Sequence, residues 1–450
     1  MSRAIYDIVV FEMTFLLVLV LALAAPAFSA ITFSKDVAPV LNKHCVACHR
    51  AGNIAPMAFT DYKSARPWAK SIKQAVLTGK MPPWFADPKH GSFANDPRLA
   101  PREIAALKEW ADGGAPEGNP RDLPPPVKFV EGWQMGKPDI VIDIGEDHKV
   151  TAGEDAYEHF VVPTNFREGK WIRAAEILPG NRRVVHHVHV LLVQDNLEAM
   201  AAASTANMPA LSSFLLREGK LTRIRADAPV VDDACTSNAQ LPFLTGGQEG
   251  SFTAFLPGRQ PDQFPDGTAK WIPPGAKLEF VVHYAQIAGE PQTDRTSVGF
   301  YLAAAPPDKP LRRMDLRNFF LKIPAGAANH EVRRCYTFEK DTMLISFTPH
   351  MHYRGKDARY ELTRPDGRRE TLLSVPRYDF NWQLNYRLRD PVFVEKGSTL
   401  TVTVHYDNSA NNRANPDPNS PVRWGDKTEE EMMTSWIEYI EAAPKNTSRR

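Results

Sequence analysis

From about Trp133 onward the chain alternates short β-branched and aromatic runs with clusters of Pro, Gly, Asp and Asn. Val184 to Val193, Leu278 to Tyr284, Leu344 to Phe347 and Leu400 to His405 are the clearest runs. Runs of this length bounded by turn formers predict strands, and their recurrence predicts an all-β region. That region exceeds one typical sandwich, and Ala303-Ala304-Ala305-Pro306-Pro307 divides it into 136–305 and 306–450. Asn196 to Lys220 interrupts the first half with a helical pattern. Upstream the period changes. Ser64 to Thr78 carries apolar residues at helical spacing, and Pro101-Arg102-Glu103 opens a helix ending near Gly113-Gly114. Residues 31–120 therefore predict a small all-α domain, joined through a proline-rich linker at 121–135 to the β region.

Composition narrows the classes. With 450 residues, 43% of them hydrophobic, the chain has room for two or three cores, so a multidomain protein is expected. The 54 basic and 53 acidic side chains leave no electrostatic footprint for nucleic acid or an anionic membrane. Residues 1–30 read as a signal peptide: Leu16 to Ala25 is apolar throughout and is followed by the small residues of Ala25-Pro26-Ala27 and Ser29-Ala30. Asp7 and Glu12 do not suit a basic leader, which makes Met13 a candidate start. The expected location is periplasmic or secreted, with no stable membrane span after cleavage. Of four cysteines, Cys235 and Cys335 lie outside the motif described next, and an oxidising compartment would allow them to pair.

Cys45-Val46-Ala47-Cys48-His49 supplies two thiols at the spacing of the haem vinyl groups and an imidazole that turns back to the iron. One covalent haem c is expected, held by Cys45 and Cys48 with His49 as proximal ligand. Met81, in the proline-held Lys80-Met81-Pro82-Pro83-Trp84, is the expected second axial ligand, in preference to Met57 or His90.

Three strand-like segments carry histidines: Val185-His186-His187-Val188-His189, Val281-Val282-His283-Tyr284 and Pro349-His350-Met351-His352-Tyr353. Such clusters predict metal binding. Residues two apart on a strand share a face, so His350 and His352 can reach one ion. Periodicity alone would pair His187 with His189; using the doublet His186 and His187 instead requires a bulge or a strand end. Imidazole with thioether favours copper, and Glu430-Glu431-Met432-Met433-Thr434 offers the thioether.

Taken in order, the doublet, the His283 strand preceded by Phe264-Pro265-Asp266-Gly267, the motif from His350 to Lys356, and Glu431-Met432 resemble the copper type II, ascorbate-dependent monooxygenases, which include the peptidylglycine and dopamine hydroxylases. The resemblance spans roughly 136–445. It implies two jelly-roll sandwiches, each supplying one copper across an open cleft. His186, His187 and His283 would hold the electron-transfer copper, and His350, His352 and Met432 the copper that meets oxygen and substrate. His189 and His405 have no counterpart role and read as ordinary strand residues, and Met433 fits the spacing less well than Met432. Where the peptide-amidating branch has an arginine, this chain has Thr348, and the positions normally asparagine and tyrosine are Thr434 and Trp436. A C-terminal glycine peptide is therefore not the expected substrate.

The resulting expectation is an O2-dependent copper monooxygenase that hydroxylates a C–H bond, with electrons from ascorbate or a redox protein entering through the haem. A non-catalytic electron-transfer or copper-handling protein is the alternative, and a glycan-binding sandwich a third, which would call for a carboxylate pair beside the histidine strands.

Overall fold

A computed structural model describes residues 30–442, apart from 52, 54, 152, 154–155, 194–213, 218–219, 224–249, 257–258, 286–289, 319–320 and 426. The leader segment and Cys235 lie outside the described residues, as does most of Asn196 to Lys220. Within that expected helix, Phe214–Arg217 is a strand, paired antiparallel with Lys220–Arg223.

The chain divides into two units. The first, holding residues to Ala51, Ala55–Pro82 and Leu99–Val127, contains the α-helices Ala38–His44, Tyr62–Ala65, Ala69–Leu77 and Pro101–Asp112. The expected helix over Ser64 to Thr78 is interrupted by a 3₁₀ turn at Arg66–Trp68, where Pro67 cannot donate to the ladder. Glu103 accepts from the backbone N–H of Ala100 and so caps the last helix, which ends at Gly113. Phe33, Leu41, Leu107 and Trp110 are fully or almost fully buried in this unit's core.

The second unit comprises Pro83–Arg98 and the chain from Lys128. It is mostly β-sheet. One sheet orders Ile140–Asp143, Ser297–Leu302, Lys170–Leu178, Thr268–Ile272 and Lys309–Pro310, and a four-stranded sheet orders Ala156–Pro163, Lys277–Tyr284, Val185–Val193 and Gly250–Phe255. Inward residues such as Ile172, Val188, Phe280 and Phe300 form their common core. Further on, Arg312–Arg317, Thr434–Glu441, Thr342–His350 and Tyr386–Val394 make one four-stranded sheet. His330–Thr337, Thr399–Tyr406, Gly355–Thr363 and Arg369–Val375 make the other. Phe347, Tyr360, Leu373 and Tyr406 pack in the core of this second pair.

Two packing features depart from boundaries drawn on composition. Ile345 and Ile440, from the second sheet pair, bury in the first pair's core. Pro83–Arg98, read from sequence as part of the helical domain, packs with the β unit: Trp84 lies 4.8 Å from the Tyr386 ring and 5.8 Å from Phe93. Backbone bonds reinforce it, with Asp87 donating to Ser374 and Ala94 to Arg387. Large aromatics go where a partner surface removes them from water.

Candidate metal centres

The strands Val185–Val193 and Lys277–Tyr284 are antiparallel neighbours in register His283 opposite His187, but Tyr284 lies opposite Val185. His186 is thus the extra residue of a β-bulge, the local irregularity the doublet required. It turns His186 toward the same point as its neighbour. His186 Nδ1 is 3.2 Å and His283 Nδ1 3.3 Å from His187 Nδ1, and the ligand atoms of the three lie within 4.8 Å of one another, close enough to hold one metal ion. Tyr157, across the strand from His283, stacks on it at 4.3 Å. Burial, followed by the neighbouring histidines, holds His187 well below the usual imidazole range, so it stands as a neutral donor.

In the second sheet pair His350 ends the strand Thr342–His350 and lies opposite Thr434. Continuing that antiparallel register places Met432 opposite His352. Glu431 fixes the junction: fully buried, its carboxylate accepts from the backbone N–H groups of His352 at 2.8 Å, Arg354 at 2.7 Å and Met432 at 3.1 Å. Burial outweighs these bonds and pushes its pKa up to about 7. Tyr378 clasps the backbone of Met351 between the two histidines, accepting from its N–H and donating to its carbonyl. Gly355 permits this approach, because a Cβ there would stand 2.6 Å from Met351 Cβ and 3.0 Å from the Tyr378 ring. His350 Nδ1 bonds Gln383 Oε1 at 2.6 Å and His352 Nδ1 bonds the Glu430 carbonyl at 3.2 Å, which leaves both Nε2 atoms as the donors. Burial lowers His350 well below the usual range and His352 to about 4. Met433 is fully buried core while Met432 is only partly buried.

One further histidine lies between the two sets. His189 is buried there, its ring centre 5.5 Å from His187 and 6.4 Å from His350. Trp436 stacks on His350 at 5.2 Å and lies 5.2 Å from His189. His189 therefore faces neither solvent nor an apolar core; burial and then Arg259, Arg313 and Arg317 hold its pKa down to about 3. His405, by contrast, is an ordinary strand residue, bonded to Asp357 and Glu331.

In the helical unit Cys45 caps the helix Ala38–His44, and Cys45 and Cys48 carry no disulfide. His49 Nδ1 bonds the Met57 carbonyl at 3.2 Å and its ring stacks on Phe59 at 4.4 Å, which presents Nε2 as the donor. These residues fit a c-type haem. Met81 follows the helix Ala69–Leu77, its N–H bonded to Ala75, and Met57 packs on the unit's core. His90 bonds back to Asp87 in the β unit. Cys335 is disulfide-bonded.

Residues 321–449 match the model of the copper type II ascorbate-dependent monooxygenase C-terminal domain, a span containing His350, His352 and Met432. By this domain the chain is a copper-dependent monooxygenase. None of the curated proteins matches it. Among solved structures it is similar to the major capsid protein P2 of bacteriophage PM2, at 11% identity and TM-score 0.24, over 68% of this chain and 98% of that one. It is also similar to a xanthan lyase from Paenibacillus, at 10% identity and TM-score 0.17, over 74% of this chain and 29% of that one. Neither likeness bears on function.

The donors suit copper in this monooxygenase: three imidazoles on one side, two imidazoles with a thioether on the other. Sequence reasoning missed Gln383, Tyr157 and the clamping role of Glu431, since each reaches the centres only through folding. It left His189 without a role, and the structure buries this residue near His187 and His350. Among the described residues no helix is long and apolar enough to cross a membrane.

Proposed function

We propose that the chain is an exported haem c and copper oxidoreductase that hydroxylates a C–H bond with O2, its electrons entering through the haem. The observation that carries this reading is the gathering of two largely buried histidine sets in one β unit, one of them inside the matched monooxygenase domain. The two sheet pairs are consistent with two jelly rolls. His186, His187 and His283 hold the electron-transfer copper, and His350, His352 and Met432 the copper at which oxygen and substrate meet. Copper at these residues supplies one-electron transfer and O2 activation. Cys45, Cys48, His49 and Met81 would hold haem c, which would supply single-electron transfer from ascorbate or a redox protein.

The reaction consumes the substrate C–H bond, O2, two electrons and two protons, and yields the alcohol and water. The chain's own residues provide geometry and dryness. Gln383 and the Glu430 carbonyl fix the ring orientations of His350 and His352, Glu431 fixes the backbone on which His352 and Met432 ride, and burial keeps the imidazoles neutral and available. Thr348, which accepts from Asn385 at 2.8 Å, cannot bind a substrate carboxylate as an arginine would. Reoxidation of the reduced haem by O2 is the test: the haem absorbance should recover much faster in copper-loaded protein than in copper-free protein. Equal rates with and without copper would remove the proposed electron route.

A further inference from the structure

We propose that the outward face of Tyr62 to Met81 is the docking surface for a separate, acidic electron-carrier protein; this rests on the haem reading above. Over these residues the chain carries Lys63, Arg66, Lys70, Lys73 and Lys80 and no Asp or Glu, although the whole sequence is balanced at 54 basic and 53 acidic side chains. Lys73 is paired with Asp112 of the neighbouring helix. Asp61, just before the segment, is engaged as the cap of Tyr62–Ala65, accepting from the Ser64 backbone N–H. Lys63, Arg66, Lys70 and Lys80 are exposed and form no ion pair among the described residues. A helix places residues three, four and seven apart on one side, so Lys70, Gln74 and Leu77 share the outer stripe of Ala69–Leu77, while Ile72 and Val76 turn into the core.

Charge alone marks a solvated face. The second observation is apolar: Trp68 is the one exposed tryptophan of the chain's nine, at 38%, and Leu77 is 48% exposed. A tryptophan set among cations suits a protein partner, because the aromatic supplies an anchor to bury and the charges steer the encounter. Position supplies the function. Lys80 and Met81 both donate their backbone N–H to the Ala75 carbonyl, which folds the expected axial ligand back against the last turn of Ala69–Leu77. The exposed residues Leu77 and Lys80 therefore border the loop that carries Met81, and a carrier seated on this face stands beside the thioether side of the haem site. Screening confines the pull of these cations to roughly 8–10 Å at physiological salt, so the partner's carboxylates must lie close to them. Each encounter oxidises the carrier by one electron, and two encounters match the two electrons of one turnover.

The probe is fully reduced flavodoxin, a small acidic carrier, mixed with the full haem-bearing chain in stopped flow; Fe(II)-EDTA serves as a small anionic reductant for comparison. The proposal predicts a flavodoxin rate that falls about tenfold between about 20 and 200 mM salt. In Lys63→Glu/Lys70→Glu the low-salt rate should fall about tenfold and lose its salt dependence. In Trp68→Ala the flavodoxin rate should fall while the Fe(II)-EDTA rate holds, with the haem spectrum unchanged. A flavodoxin rate indifferent to salt and to these substitutions overturns the proposal, as does a Trp68→Ala effect shared equally by both reductants. Binding to phosphatidylglycerol vesicles in place of a salt-dependent flavodoxin rate would overturn it in favour of a membrane surface. Should the chain carry no haem, the haem reading fails, and calorimetric binding of flavodoxin at low salt, abolished by the double substitution, still decides the docking claim.

Discussion

Glu431→Ala should destabilise the β unit by several kcal/mol and loosen the copper site beside it. The wild-type carboxylate is fully buried and accepts three backbone N–H groups, those of His352, Arg354 and Met432. Each buried donor left without a partner costs about 1–3 kcal/mol. Three would cost up to roughly 9 kcal/mol, reduced by water entry and by relief from burying the carboxylate. Glu431→Gln provides a graded comparison. Its amide oxygen can serve the two donors now at one carboxylate oxygen, but its NH2 then faces the Arg354 N–H, so a loss of about 1–3 kcal/mol is expected. Copper affinity at the His350, His352 and Met432 set should fall about 10- to 100-fold in the alanine variant, the usual cost of removing a group that orients ligands. Chemical denaturation followed by tryptophan fluorescence gives the first quantity, and competitive copper titration the second. A loss below about 1 kcal/mol in Glu431→Ala, with copper affinity unchanged, would show that the carboxylate does not hold the ligand backbone.

Other expectations follow from the same structure. The copper-free protein should lose stability as pH falls below the ordinary imidazole value: His350 and His352 have lowered pKa values when folded, His352 about 4, so the unfolded chain takes up protons that the folded chain refuses. Thermal melts across pH 7 to 4 should show this loss and its suppression by copper, and melts flat in pH would refute it. Gln383→Leu should weaken copper binding about tenfold by releasing His350 Nδ1, with little change at the other set. Trp84→Ala should cost the β unit about 3–5 kcal/mol, measurable by denaturation, although the residue belongs to an N-terminal segment. Cys45→Ser with Cys48→Ser should abolish covalent haem, visible as loss of haem staining on a denaturing gel.

Much of this was readable from residue order because the relevant periods are short. Alternation over Val185 to Val193 and Leu278 to Tyr284 placed the histidine strands, and the requirement for a bulge at the doublet followed from the two-residue period alone. The same period put His187 and His189 on one face, and in the fold their rings stand 5.5 Å apart. What escaped was long-range. Gln383 reaches His350 across 33 positions and Glu431 reaches His352 across 79, separations no local pattern encodes. The docking of Trp84, Phe85 and Phe93 against the β core was hidden for the same reason: aromatic residues announce burial but not the surface that buries them.

The central claim is that two copper centres and one haem reside in this chain. Metal content of the purified, copper-loaded protein, compared with a His350→Ala, His352→Ala double variant, tests it most directly. The expected result is one iron and two coppers per chain, with one copper lost and the iron retained in the variant. One iron with no tightly bound copper, or the same copper content in both proteins, would contradict the account.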